Sequence, residues 1–162
     1  MKLIFQTIID KGHGNCMQAA IASLLELQLN EVPHFLEYKD KWFDVFYKFI
    51  VNHGCDFDGT LYNYNTWRVI NKRRGVPTVK LRSRLYKLKQ MKGIKGYFYA
   101  SVYSPKYYNP DDICPITHAV IIDKYLNIIH DVNPNNRDIV KYPEASKLKF
   151  NGILDVFMIN EK

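Results

Sequence analysis

The segment KGHGNCMQAAIASLLELQ, residues 11–28, places a cysteine where a glycine-rich loop meets an apolar, alanine-rich run. Apolar residues recur after Cys16 at the i, i+3 and i+4 spacing, which predicts a helix over residues 16–27. Alanine fills the remaining faces, so we expect this helix to be buried nearly all round. The unpaired N–H groups and the dipole at its N-terminus favour a thiolate at Cys16. The same position also suits a metal ligand or a buried packing residue.

The composition is that of one globular domain. The chain has 162 residues, of which 47% are hydrophobic and 24% charged, and it is treated as a single domain spanning 1–162. The three cysteines, Cys16, Cys55 and Cys114, form no CxxC pair. No signal-peptide pattern and no long apolar run is present. We therefore expect a cytoplasmic protein with reduced thiols and no membrane partner.

The order of secondary structure predicts the fold class. The opening KLIFQTII is expected to be extended, a second helix is predicted over residues 38–52, and a short third helix ends at Gly75. The segments GYFYASVYS, THAVIID, NIIHDV and ILDVFMIN are rich in β-branched and aromatic residues and predict strands. Because the helices precede most of the strands, we expect an α+β domain with an antiparallel sheet packed on a helical half.

A nucleophilic cysteine requires a base, and His118 is the candidate. It opens the apolar segment THAVIID, which reads as a β-hairpin with the following NIIHDVNP. A turn centred on residues 125–126 pairs Asp131 with Val120 and Asn133 with His118. Side chains alternate along a strand, so these polar groups share one face. A carboxylate or amide beside a histidine fixes its tautomer and orientation.

An acyl-transfer site also requires donors for the developing oxyanion. The backbone N–H of Cys16 is one candidate, and a side-chain amide commonly joins it. Gln6, on the first extended segment, is the available amide.

The order of these motifs resembles that of papain-like cysteine peptidases, most closely the bacteriocin-leader peptidases. GNCMQAAIASLL is similar to the cysteine helix of that family, THAVII to its histidine strand and HDVNP to its Asp-Pro turn. Short bacteriophage proteins carry the same pieces. The resemblance implies a papain-like fold, with an N-terminal helical half containing the buried cysteine helix and a C-terminal antiparallel sheet.

The resemblance also implies a role for each matching residue. Cys16 is the nucleophile, His118 the base and Asp131 the group that orients it, while Gln6 completes the oxyanion hole. The expected activity is cleavage of a peptide, isopeptide or amide bond in a peptide or protein substrate, without a cofactor. The spacing from Gln6 to Cys16 is longer than usual in the family. Asn133 is an alternative third member, because this clan uses either Asp or Asn there.

The sequence also contains partial motifs for two other chemistries, a zinc site and a phosphatase. His13 with Cys16 and Cys114 with His118 offer two His and two Cys at plausible zinc spacings, although such pairs usually come as tighter knuckles. DFDGT, residues 56–60, imitates a phosphatase signature that needs a buried parallel strand. We interpret it instead as a turn containing Gly59.

The net charge of +7 is concentrated in residues 72–95, which contain ten basic and no acidic residues. Such a run is usually a solvated surface, but it also suits an acidic or phosphorylated partner. This leaves a second hypothesis, in which a catalytically silent papain-like scaffold, a phage accessory protein, binds a host protein, a nucleotide ligand or nucleic acid. Its predicted surface consists of Lys72, Arg73, Arg74, Arg82 and Arg84. The sequence does not indicate an oligomeric state.

Overall fold

The fold was obtained as a computed structural model, and the structure describes residues 1–63, 92–104, 116–125, 127–136 and 153–161. These residues contain two α-helices and five strands, joined by short 3-10 helices. The helices are α1 (Cys16–Leu25) and α2 (Trp42–Asn52). The strands are β1 (Cys55–Asn63), β2 (Tyr97–Tyr103), β3 (Thr117–Asp123), β4 (Ile128–Asp131) and β5 (Ile153–Glu161).

The strands form one sheet in the order β1-β5-β2-β3-β4, and every neighbouring pair is antiparallel. Helix α1 packs on β2 and β3, and α2 packs on β1. The predicted α+β class is therefore confirmed. Among the described residues, none of the helices has the length and apolar character needed to cross a membrane.

Helix α1 is buried almost all round, as its alanine content predicts. All six residues from Ala19 to Leu24 are at most 2% exposed. The helix ends two residues earlier than expected, because Glu26 adopts a left-handed conformation (φ 60°). Its N–H group bonds back to the carbonyl groups of Ala22 and Ser23, which terminates the helix.

Helix α2 begins four residues later than predicted. Residues Phe35–Lys41 form a 3-10 helix instead, and Lys39 interrupts it with φ 49° and ψ −121°. A helix cannot continue through that conformation. The apolar periodicity nevertheless identified the buried face, since Phe46 and Ile50 are fully buried and Phe46 packs edge-on against Phe35 at 5.5 Å.

The DFDGT motif is not a turn, contrary to the sequence interpretation. It lies within β1, which pairs antiparallel with β5. The register shifts between Phe57 and Thr60, so the glycine that suggested a turn belongs to an irregularity inside a strand. Cys55 at the start of β1 is buried in the core, as expected for a small apolar side chain.

The β3–β4 hairpin has the predicted register near the site and a different one near the turn. Val120 pairs with Asp131, as predicted. The register then shifts by one, so that Ile122 pairs with Ile128. The turn therefore contains three residues between Asp123 and Asn127 and not the two that were predicted. The Asp123 carboxylate stabilises this turn, because it accepts hydrogen bonds from the N–H groups of Tyr125 (2.8 Å) and Asn127 (2.9 Å).

Several sequence predictions fall outside the described residues. They are the short third helix and most of the basic segment. The individual residues concerned are Lys72, Arg73, Arg74, Arg82, Arg84 and Cys114. At the end of the basic segment, Lys95 is described, and its Nζ lies 2.8 Å from the Glu26 carboxylate.

Candidate functional site

Cys16 is the first residue of α1, so its sulfur lies at the positive end of the helix dipole. The side chain is partly buried and borders a cleft between the helix and the sheet. His118, the second residue of β3, borders the same cleft and is 7% exposed. Because α1 packs directly on β3, the thiol and the imidazole lie close enough for each to shift the pKa of the other.

Asp131 lies on the other side of the imidazole. The Nε2 atom of His118 donates a hydrogen bond to Asp131 Oδ1 at 2.5 Å. This contact occupies Nε2, so Nδ1 is the ring nitrogen that remains for the thiol of Cys16. The three side chains form a continuous chain from thiol to carboxylate, with the carboxylate partly shielded from solvent at 9% side-chain exposure.

The electrostatics of this chain favour an ion pair. Burial is the largest single influence on the pKa of the Cys16 thiol and raises it, but His118 and the nearby backbone together lower that pKa overall. The backbone N–H groups of Ala119 and Met17 also lower this pKa by donating to the sulfur. Burial lowers the pKa of His118, but Asp131 and then Cys16 outweigh it and raise that pKa to about 9. Together these effects shift the pair toward a thiolate beside an imidazolium.

Asn133, the alternative third member of the triad, is hydrogen-bonded to Asp131 and not to His118. Its backbone N–H donates to Asp131 Oδ1 at 2.8 Å, while its side-chain oxygen accepts from the N–H of Asn135 at 3.0 Å. Asn136 adds a side-chain contact, donating from Nδ2 to Asp131 Oδ2 at 2.9 Å. Sequence reasoning did not identify Asn136, although a run of asparagines after Asp131 is typical of consecutive Asx-turns.

Gln6 borders the same cleft as Cys16, despite the long spacing between the two residues. It is 7% exposed, and its backbone N–H donates to the carbonyl oxygen of Val132 at 2.8 Å. The N-terminal segment, expected from the sequence to be extended, is not assigned to a strand. Ile4 anchors it to α1, because its N–H donates to Ser23 Oγ at 2.9 Å.

The cleft is small, with a volume of about 80 Å³. Its wall combines amide, hydroxyl and carboxylate groups with three apolar side chains. Besides the residues already described, the lining contains Ile9, Asp10, Gly12, Gly14, Leu36, Ser104, Ile116 and Thr117. A cleft of this volume is much smaller than the pockets that enclose drug-sized ligands.

Three other histidines lie outside the lining of the cleft. His130 is buried, bonds the carbonyl oxygen of Ile4 at 2.8 Å and packs edge-on against Phe5. His53 bonds the carbonyl oxygen of Phe49 at the end of α2 (2.8 Å). His13 is exposed in the loop before Cys16.

The described residues contain no group of three or more His, Cys, Asp or Glu arranged to hold a metal ion. Of the four ligands considered from the sequence, Cys114 lies outside these residues. Cys16 and His118 contact each other directly, and Nε2 of His118 is already bonded to Asp131.

Comparison of the chain with protein-family models, curated proteins and solved structures finds no match to any of them. The geometry of the site therefore carries the functional argument by itself.

Proposed function

We propose that the protein is a cysteine hydrolase with a papain-like arrangement of its site, acting on a peptide, isopeptide or amide bond. The observation that carries this proposal is Cys16 beside His118 at the edge of a cleft, with His118 hydrogen-bonded to Asp131 on its other side. A helix N-terminus, a buried imidazole and a carboxylate together activate a thiol for attack on a carbonyl carbon.

The reaction follows from the positions of these groups. The Cys16 thiolate attacks the carbonyl carbon of the substrate, and its oxygen becomes an oxyanion. The N–H of Cys16 belongs to the first turn of α1 and has no acceptor within the helix, so it is available to donate to that oxygen. The Gln6 amide borders the same space and is the second donor.

His118 moves the protons. The imidazolium gives its Nδ1 proton to the departing amine, the carbon–nitrogen bond breaks, and a thioester to Cys16 remains. The neutral imidazole then takes a proton from water, which attacks the thioester and releases a carboxylic acid. Asp131 holds the ring through Nε2 during both steps.

Site-resolved labelling with iodoacetamide tests the proposal. Cys16 is expected to displace iodide from the reagent and form a thioether much faster at pH 7 than buried Cys55, because Cys16 is held as a thiolate. His118→Ala should slow the labelling of Cys16 and leave Cys55 unchanged. Equal rates at the two thiols would contradict the proposal.

The binding hypothesis gives the opposite result. If Cys16→Ala preserves the biological activity while charge reversal at Arg73, Arg74, Arg82 and Arg84 abolishes it, the protein acts as a binding scaffold.

A further inference from the structure

Asn15 lies immediately before the proposed nucleophile and is 2% exposed. It occupies the N-cap position of α1, but its side chain does not cap the helix. A buried polar side chain must find its partners elsewhere. Three of the four hydrogen bonds of the Asn15 side chain go to the N-terminal segment that carries Gln6.

Every hydrogen-bonding direction of the Asn15 amide is used. Its Oδ1 accepts from the N–H groups of Thr7 at 3.0 Å and Ile8 at 2.9 Å. Its Nδ2 donates to Thr7 Oγ1 at 3.1 Å and to Gln18 Oε1 at 3.0 Å. The backbone N–H of Asn15 also donates to the carbonyl oxygen of Ile8 at 3.2 Å.

Gln6 is consequently held from two sides. On one side, the next residue along the chain, Thr7, is bonded to Asn15, which directly precedes Cys16. On the other side, the N–H of Gln6 is bonded to the carbonyl oxygen of Val132, which directly follows Asp131. The segment that carries Gln6 thus joins the residue before the thiol to the residue after the carboxylate.

We infer that Asn15 is a positioning residue that holds the Gln6 amide in the oxyanion hole by clamping residues 7–8 against the start of α1. The inference rests on the proposed function. It also explains how the long loop between Gln6 and Cys16 is compatible with a working site, because hydrogen bonds of Asn15 close the base of the loop. The geometry of the donor then depends on Asn15 rather than on the loop's length.

Two reagents separate this role from the activation of the thiol. With p-nitrophenyl acetate, the Cys16 thiolate attacks the ester carbonyl, p-nitrophenolate leaves and an acetyl thioester forms, so the rate depends on the oxyanion hole. With iodoacetamide, the same thiolate displaces iodide from a saturated carbon and no oxyanion develops. Asn15→Ala should reduce the acylation rate by about ten- to a hundredfold, the range expected when a catalytic group is displaced by up to about 1 Å. Iodoacetamide labelling should change by less than about threefold.

Thr7 supplies variants that disturb the same clamp at an exposed position. Thr7→Val removes the hydroxyl that accepts from Asn15 and should lower acylation selectively, whereas Thr7→Ser keeps the hydroxyl and should restore most of the rate. These variants decide the matter if Asn15→Ala does not fold.

A double-mutant cycle distinguishes positioning from general damage. Because Asn15 acts through Gln6, Asn15→Ala should reduce the acylation rate much less in a Gln6→Ala background than in the wild type. Three results would each overturn the role of Asn15. They are an unchanged acylation rate in Asn15→Ala, an equal loss of rate with both reagents, or an acylation rate in the double variant that falls by the product of the two single losses. A wild-type protein that iodoacetamide labels rapidly at Cys16 but p-nitrophenyl acetate does not acylate would instead overturn the proposed function.

Discussion

Replacing Asp131 by asparagine should move the alkaline limit of the thiolate–imidazolium pair. The pKa of His118 is raised from its ordinary 6.5 to about 9, with burial opposing the change and Asp131 the strongest group raising it. At 1.36 kcal/mol per pKa unit, this net rise stabilises the imidazolium by about 3 kcal/mol after the opposing effect of burial. Of the two groups that raise this pKa, Asp131 has the larger effect. Asp131→Asn should therefore lower the pKa of His118 by roughly one to two pH units.

The assay is the pH dependence of Cys16 alkylation by iodoacetate. The anionic reagent reacts with the thiolate and is attracted by the imidazolium, so the rate should rise as the thiol ionises and fall as His118 loses its proton near pH 9. In Asp131→Asn the falling limb should move toward pH 7 to 8, since a group with a lowered pKa loses its proton at lower pH.

A matched control uses the second carboxylate of the same hairpin. Asp123 lies in the turn, where it accepts hydrogen bonds from Tyr125 and Asn127, away from the imidazole. Asp123→Asn should leave the falling limb near pH 9. The reasoning is wrong if Asp131→Asn also leaves it there, or if the two variants shift it equally.

Two further predictions concern the supports of the site and of the sheet. Asn136→Ala removes a charge-assisted hydrogen bond to Asp131 worth about 1.5 kcal/mol, so acylation of Cys16 by p-nitrophenyl acetate should fall roughly tenfold. Asn135→Ala, an exposed neighbour, should have little effect, and equal losses would contradict this role. Gly93→Ala should lower the free energy of unfolding in urea by about 2–4 kcal/mol, because φ is +64° and the new Cβ would lie 2.5 Å from a carbonyl oxygen. At Gly96, where φ is +85° but nothing lies within 4 Å, alanine should cost only about 1 kcal/mol, and equal costs would refute the steric argument.

The sequence predicted the parts of the fold that repeat a simple period. The alanine-rich pattern after Cys16 indicated a helix buried on all sides, and strand alternation placed Asp131 on the same face as His118. Both features depend on local periodicity, which side-chain burial enforces along a whole element. The meeting of Cys16 and His118 was inferred from the family resemblance as well as from chemistry, and in the structure it follows from the packing of α1 on β3.

The parts that were not predicted depend on single residues or on long-range hydrogen bonds. The conformation of Lys39 delays α2, although apolar spacing continues through it. The segment DFDGT has the composition of a turn, and only its pairing with β5 makes it part of a strand. The clamp formed by Asn15 joins segments on either side of a loop, and no periodic pattern records such contacts.

The measurement that tests the central claim most directly is the mass of the protein during reaction with p-nitrophenyl acetate, quenched in acid and mapped by peptide. The account predicts one acetyl group on Cys16 that appears with the first release of p-nitrophenolate and then disappears as water cleaves the thioester. The acetyl group should be absent in Cys16→Ala and strongly reduced in His118→Ala. Acetylation that is spread over lysines and unaffected by either substitution would contradict the assignment of Cys16 as the nucleophile.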